Sequence, residues 1–371
     1  MQESDLPGLT ATVLWAAFGL AVAFGAIAQR THFCTMGAVA DIVNIGDWTR
    51  MRMWVMAIGV AMLGFNAMVA AGWVEAAQSI YAGPSLLWLS NIVGGLLFGV
   101  GMVLASGCGS KTLVRVGGGN LKSLVVLFVL AVAAYATMRG VVAVARVATL
   151  DVAAIALPTG QDLPSLLAHA TGTSRRTLAL WLGGGLGLLL LGWGLSRAEG
   201  RSAEVLLAGL GIGAVIVGVW WVSGRLGFVA EHPVTLEASF LGTNSRRMES
   251  LSFVSPVAYT MDWLILFSDT SRVLTLGIVS VLGVVLGSAV VALAGGNFRW
   301  EGFAGTEDTA NHLVGAVLMG VGGVTAMGCT IGQGLSGVST LALGSFLALA
   351  GILAGGVLGL RYQTWRVERS L

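Results

Sequence analysis

Charge is scarce in this 371-residue chain. Asp, Glu, Lys and Arg make up 10% of it, against 56% hydrophobic residues and a mean hydropathy of +0.86. Soluble chains carry about 25% charged residues, so a water-soluble domain is excluded. Basic and acidic residues nearly balance, 20 against 18, which leaves no surplus to attract nucleic acid. Only three cysteines occur, and no C-x-x-C, so a redox dithiol is not expected. The four histidines share no helical face by spacing. A phosphate loop is missing too: in GCGSKT, Ser110 stands before Lys111 where the Walker motif needs glycine. Strict alternation of apolar and polar residues is lacking, which excludes a transmembrane β-barrel.

What is present in place of charge is long apolar runs. Residues 6–29, 53–74, 76–110, 177–196, 205–224, 273–298 and 309–360 contain no Asp, Glu, Lys or Arg. A helix needs ~20 such residues to cross ~30 Å of hydrocarbon, and helices satisfy their own backbone groups in lipid. The expected fold is an all-α polytopic membrane protein with about nine transmembrane helices. The spans fall near 9–29, 53–73, 91–107, 122–145, 177–196, 204–224, 273–295, 312–327 and 340–360, the fourth carrying Arg139 inside it. Pro256 and Asp262 mark 251–267 as interfacial or re-entrant. The first span is not read as a signal peptide, because Glu3 and Asp5 precede it instead of basic residues. With the N-terminus outside and the C-terminus inside, twelve basic residues fall on inner segments and seven on outer ones. The positive-inside rule selects that orientation. Tryptophans such as Trp48, Trp54, Trp73, Trp193, Trp220 and Trp300 mostly flank spans, as interface anchors do. His169 and His232 read as loop residues and His312 as interfacial, while Asp262 and Glu237 are candidate intramembrane acids.

The cysteines sit in three copies of one pattern. Gly25 precedes Cys34, Gly99 precedes Cys108 and Gly320 precedes Cys329, each by nine residues. Glycine follows within three residues at Gly37, Gly109 and Gly332. A single buried cysteine packs as a small hydrophobe, but three in one register suggest a unit built to present thiols. Residues 19–73, 91–145 and 309–360 share the order span, short cysteine segment, span. A fourth copy begins near Gly218, with Gly227 where the thiol would be. One integral domain covering 1–371 is expected, with halves 9–145 and 177–360 joined by a loop at 146–176. Four spans followed by five place those halves in opposite orientation, the inverted-repeat arrangement of transporters. The polar, glycine-rich segments after each cysteine are tolerable only as re-entrant helices lining a cavity.

The chemistry of these segments suits a small anion with a soft sulfur end. Short helices beginning near Gly107, Gly109 and Gly328 aim N–H groups and positive dipole ends inward. Arg30 and Lys111 either add positive charge there or snorkel to the inner interface. Thr330 and Gln333 add polar groups beside Cys329. Three distant cysteines with His32 could compose a zinc set, but metal thiolates lining a pore are unusual, so no metal or other cofactor is expected.

At this point the residues resemble a known family. GCTIGQGLSG at 328–337, R-T-H-F-C at 30–34 and S-G-C-G at 106–109 are similar to motifs of the YeeE/YedE sulfur-transport family of bacterial inner-membrane proteins. The resemblance covers residues from about 10 to 360. It implies an hourglass-shaped helical protein with pseudo-inverted repeats that takes up thiosulfate and is not an enzyme. It implies that Cys34, Cys108 and Cys329 form a vertical thiol relay. It also implies a cytosolic partner, a TusA-like sulfur carrier or a rhodanese. Two alternatives stay open: transport of a selenium compound, and a membrane sulfurtransferase that forms a cysteine persulfide. For the latter, Cys108 beside Lys111 is the nearest approach to an activated thiolate.

Overall fold

A computed structural model describes residues 6–233 and 236–370, so Glu3 and Asp5 lie outside the described residues. The helices follow in order as α1 (Leu6–Arg30), α2 (Thr35–Ile45), α3 (Thr49–Ala70), α4 (Trp88–Leu104), α5 (Gly109–Gly117), α6 (Leu121–Arg139), α7 (Val141–Thr149) and α8 (Leu163–Thr171). Then come α9 (Arg175–Leu195), α10 (Ala203–Trp221), α11 (Val254–Ile265), α12 (Leu276–Ala294), α13 (Thr306–Thr325) and α14 (Leu343–Ser370). A further short helix over 330–339 lies between the last two. Two antiparallel pairings of two residues each, Ser85–Leu86 with Ile155–Ala156 and Phe228–Val229 with Ser239–Phe240, tie loops together.

The architecture is that of an all-α polytopic membrane protein. Among the described residues, eight helical stretches are long and apolar enough to cross a bilayer. The one expected span outside these eight is 312–327, which corresponds to α13, whose 20 residues reach ~30 Å at 1.5 Å per residue. It falls short on apolarity because Glu307 and Asp308 open it and His312 follows. The fourth span ends earlier than expected, at Arg139. Gly140 breaks the helix there, and the arginine sits in the last turn, where a cation favours the helix dipole. The expected interfacial segment is α11, 12 residues long and hence ~18 Å, too short to cross.

Glycine holds the helices together. α4 packs against both α13 and α14, α1 against α12, and α3 against α9 and α10. Facing glycines allow these approaches: Gly94 meets Gly322, Gly101 meets Gly315, and Gly99 meets Gly355 and Gly356. Lipid tails are as apolar as leucine, so helices in a membrane associate by close packing over small residues. The 55 glycines of the chain are in large part this contact surface.

Several side chains lie elsewhere than expected. Trp54 and Trp220 are core residues, not interface anchors. Trp54 stacks on Phe33 at 4.9 Å, and the Trp220 indole N–H donates to Ser339 Oγ at 3.1 Å. His312 is buried, with Nδ1 2.9 Å from the Asp308 carboxylate. His169 lies in the last turn of α8. Asp262 is buried and paired with Arg272 at 3.1 Å, whereas Glu237 is exposed in a loop.

Candidate functional site

One backbone turn is built three times. At the end of α1, the Phe33 N–H reaches back to the Ala28 carbonyl. At the end of α4, the Gly107 N–H reaches Met102, and after α13 the Gly328 N–H reaches Gly323. These are the six-to-one bonds of a Schellman ending, which needs a left-handed residue just before the donor. That residue is His32 (φ 50°), Ser106 (φ 54°) and Met327 (φ 58°). None is glycine, so each costs about 1–3 kcal/mol. The same cost at three equivalent places identifies the turn as a feature that the fold maintains.

Two residues past each left-handed position, a cysteine opens the next helix. Cys34 caps α2 and its Sγ accepts the Gly37 N–H at 3.4 Å. Cys329 precedes the helix over 330–339 and accepts the Gly332 N–H, also at 3.4 Å. Cys108 caps α5, with Sγ 3.3 Å from Ser110 Oγ. The trailing glycines Gly37 and Gly332 are thus the donors to sulfur. A Cβ on Gly37 would lie 2.5 Å from the Arg50 guanidinium, and one on Gly332 would lie 2.5 Å from Ser252 Oγ. The leading glycines have a different purpose. A Cβ on Gly25 would overlap the Val284 carbonyl of α12, and one on Gly99 the Ile352 carbonyl of α14. One on Gly320 would lie 2.7 Å from the Leu130 carbonyl of α6. They allow each presenting helix to seat against its neighbour.

The fourth copy departs at its turn. Arg225 occupies the position of the three left-handed residues and keeps a negative φ. α10 runs instead into a wide turn over Val222–Leu226, and the Gly227 N–H bonds to Val222. No short helix follows, and no thiol is presented.

The three thiols are buried, Cys34 at 7% exposure and the others at 0%. Cys108 lies within electrostatic range of both Cys34 and Cys329. Lys111, one turn into α5, is half-buried and acts on both Cys34 and Cys108. No described residue provides it with a hydrogen bond or an ion pair. Arg30, by contrast, is exposed at the end of α1. Arg115 is the second cation here: its guanidinium donates to the Ser106 carbonyl at 2.8 Å, bracing the left-handed turn, and it also acts on Cys34. Beside Cys329, the Gln333 side-chain amide donates to the Ala326 carbonyl. Gln333 Oε1 and Thr330 Oγ1 are buried without partners, as is Thr35 Oγ1 beside Cys34. Gly107 leaves room for the Lys111 stem, whose Cγ would be 3.3 Å from an added Cβ, and Gly328 does the same for Gln333 at 3.0 Å. Gly109 faces Phe253 at a relaxed 3.9 Å. Among the described residues no three of His, Cys, Asp and Glu gather in a metal-holding group.

Residues 250–253 and Tyr81 belong to the surroundings of Cys329, although sequence reasoning passed over them. Ser336 Oγ donates to the Leu251 carbonyl at 2.8 Å, Phe253 approaches Cys329 through its backbone, and Tyr81 is coupled to the same thiol. These contacts join segments more than 75 residues apart, and no local pattern marks them. Arg115 was visible as the second basic residue after Cys108.

The fold and the site define a class: a helical, multi-pass membrane protein in which three short helices each begin at a buried thiol. The model of the family described as "Sulphur transport" matches residues 30–358, and the chain belongs to that family. It is 27% identical over 345 residues to the thiosulfate transporter TsuA of Escherichia coli, covering 89% of each chain. It is 26% identical over 368 residues to the thiosulfate transporter TsuA of Spirochaeta thermophila, covering 91% of this chain and 94% of the relative. A shorter match, 32% identical over 87 residues, covers 24% of this chain and 20% of the probable transporter YedE of Salmonella typhimurium.

Proposed function

We propose that this protein imports thiosulfate, passing the anion from Cys329 to Cys108 to Cys34. The observation that carries the reading is the threefold turn, in which a strained residue, a cysteine just before the next helix and the helix start recur in one register. Its relatives of nearly full length are named thiosulfate transporters. Thiols are weak donors and acceptors, suited to hand an anion onward without trapping it. Helix N-termini and the unpaired Lys111 offset the cost of bringing charge into low dielectric. Thr330 Oγ1 and Gln333 supply hydrogen-bonding groups beside the first thiol. Arg30 adds charge at the inner end, beyond Cys34. The two halves, 9–145 and 177–360, act as inverted repeats around this centre, with the segment 146–176 connecting them outside. The N-terminus is then outside and the C-terminus cytoplasmic in a bacterial inner membrane. Below Cys34, a mouth lined by His32, Asp41, Arg50 and Glu204 opens to the cytosol. A small sulfur-carrier protein, TusA-like or rhodanese-like, receives the anion there.

The reading is of a transporter and not a sulfurtransferase, since three thiols in one register exceed what a single nucleophile requires. The deciding experiment is uptake of labelled thiosulfate into liposomes containing only this protein. Accumulation that saturates with concentration supports the reading, and its absence overturns it. Intact-mass measurement after turnover adds a second check. A gain of one sulfur atom on the chain would establish a persulfide and a covalent cycle.

Lys111→Met is expected to raise the apparent KM about tenfold or more, since the ~1.5–3 kcal/mol of a hydrogen bond to a charged group is about one to two decades at ~1.4 kcal/mol per decade. Lys111→Arg retains most of the affinity, because the requirement is charge. Uptake against thiosulfate concentration for both variants is the measurement. An unchanged KM in the Met variant would remove Lys111 from the path.

A further inference from the structure

Beside the Cys329 turn lies a small chamber that the relay does not use. It measures about 60 Å3 and is lined by Asn244, Glu249, Ser252, Tyr259, Thr275 and Ser280, with Met327 also at its wall. A water needs ~15 Å3 by the same measure, so the chamber holds about four waters or one small oxyanion. Ile80, Leu251, Pro256 and Leu276 make much of its wall apolar, and the polar groups set into that wall are mostly hydroxyls. Two of them, Thr275 Oγ1 at 7% exposure and Ser280 Oγ at 1%, have no hydrogen-bond partner. A buried hydroxyl without a partner costs free energy, and both residues belong to the wall of this one chamber, which points to a ligand that completes them. Met327 connects the chamber to the relay, since it is the left-handed residue two positions before Cys329.

The anomaly in this lining is Glu249, a carboxyl in a chamber placed to receive an anion. It accepts the Asn244 N–H at 3.4 Å, and its own N–H donates to Ser223 Oγ at 3.0 Å. The cations around it are engaged elsewhere or exposed. Arg247, on the same loop, donates to the Ser79 carbonyl, and Arg272 pairs with Asp262. Arg246, Arg225 and Arg139 are exposed. The titratable groups that face it are Tyr81 from the loop after α3 and Tyr259 from α11. Asp262 and Arg139 act on Tyr259, and neither acts on Glu249. Desolvation without a compensating cation pushes the Glu249 carboxyl up to about 7.

We propose that this chamber is an outer anion subsite that Glu249 opens by taking up a proton. Neutral Glu249 donates an O–H to an anion oxygen, alongside Thr275 and Ser280. Ionised Glu249 faces the anion as a like charge and excludes it. The ligand class is a small tetrahedral oxyanion, and the inference rests on the import reading above. Binding and protonation are then linked reciprocally: anion in the subsite favours the proton, and the proton favours the anion.

The test is uptake of labelled thiosulfate into proteoliposomes as a function of external pH. The sign follows from the raised carboxyl: below pH 7 Glu249 is neutral and the subsite is open, and above pH 7 it closes. For one linked proton the apparent KM is expected to rise about tenfold between pH 6 and pH 8, with Vmax little changed. Glu249→Gln, which is neutral at every pH and still donates, removes that dependence and keeps the low KM at pH 8. Thr275→Val with Ser280→Ala raises KM at all pH values and leaves the pH midpoint in place. Flat uptake by the wild type from pH 6 to 8 would overturn the proposal even if the Gln variant failed to fold. So would a Gln variant that keeps the wild-type pH profile. Saturable but pH-independent uptake sinks only the Glu249 subsite, whereas no uptake at any pH sinks the import reading itself.

Discussion

Cys108→Ala is expected to reduce thiosulfate uptake at least tenfold while leaving the protein folded and monodisperse in detergent. Cys108 is fully buried at the cap of α5 and is coupled to both other thiols. On the proposed path it is the intermediate station. Folding tolerates the change because replacing a thiol by hydrogen removes only ~1 kcal/mol of burial. The cap survives in part, since the Cys108 carbonyl, which accepts from both the N–H and the hydroxyl of Thr112, is kept. Cys108→Ser is the sharper comparison. It retains a hydrogen-bonding group of similar size and replaces a soft atom with a hard one. Uptake restored by serine would mean that polarity suffices and that sulfur is not required. Wild-type uptake by the alanine variant would remove Cys108 from the path altogether.

The second large effect is on folding and concerns Gly99. Gly99→Ala is expected to lower thermal stability sharply and to deplete the folded protein recovered from membranes. Its Cβ would overlap the Ile352 carbonyl and come within 2.7 Å of the Gly356 nitrogen, backbone atoms of α14 that no rotamer change can move aside. α4 and α14 would have to separate, and α4 carries Cys108 beyond its end. Overpacking of this kind costs ~1–3 kcal/mol and occasionally more. Gly184→Ala provides the control. That position on α9 has no atom within 4 Å of an added Cβ, and alanine is favoured over glycine in a helix by up to ~1 kcal/mol. One substitution made at two sites should therefore act in opposite directions. Thermal melts of the two variants in detergent check this, and equal melting temperatures would refute the packing role assigned to Gly99.

Membrane class, helix number and the register of the thiols were all legible in the chain. They depend on local quantities: the length of charge-free runs, the position of glycine, and a spacing of nine residues repeated three times. The glycine–cysteine pattern was readable because each part of it has a local physical cause. The leading glycine permits a helix crossing, and in two of the three copies the trailing glycine donates to sulfur. The break at Gly140 and the apolarity of α13 were less legible. A glycine inside an apolar run breaks one helix and packs another, and the local sequence does not distinguish the two.

Which side chains lie together was decided by the tertiary structure alone. Trp54 and Trp220 have the spacing of interface anchors, yet packing across α3, α10 and the re-entrant helices encloses them. Lys111 and Arg30 had the same two readings in sequence. Only the fold half-buries Lys111 within electrostatic range of Cys34 and Cys108 and leaves Arg30 exposed at the helix end. Glu249 and the hydroxyls of Thr275 and Ser280 come from a loop and from the start of α12. No periodicity links them, because a chamber is defined by atoms that approach through space from separate helices. Apolar length places a chain in the membrane, but partner carbonyls, engaged cations and unsatisfied hydroxyls exist only once the helices have packed.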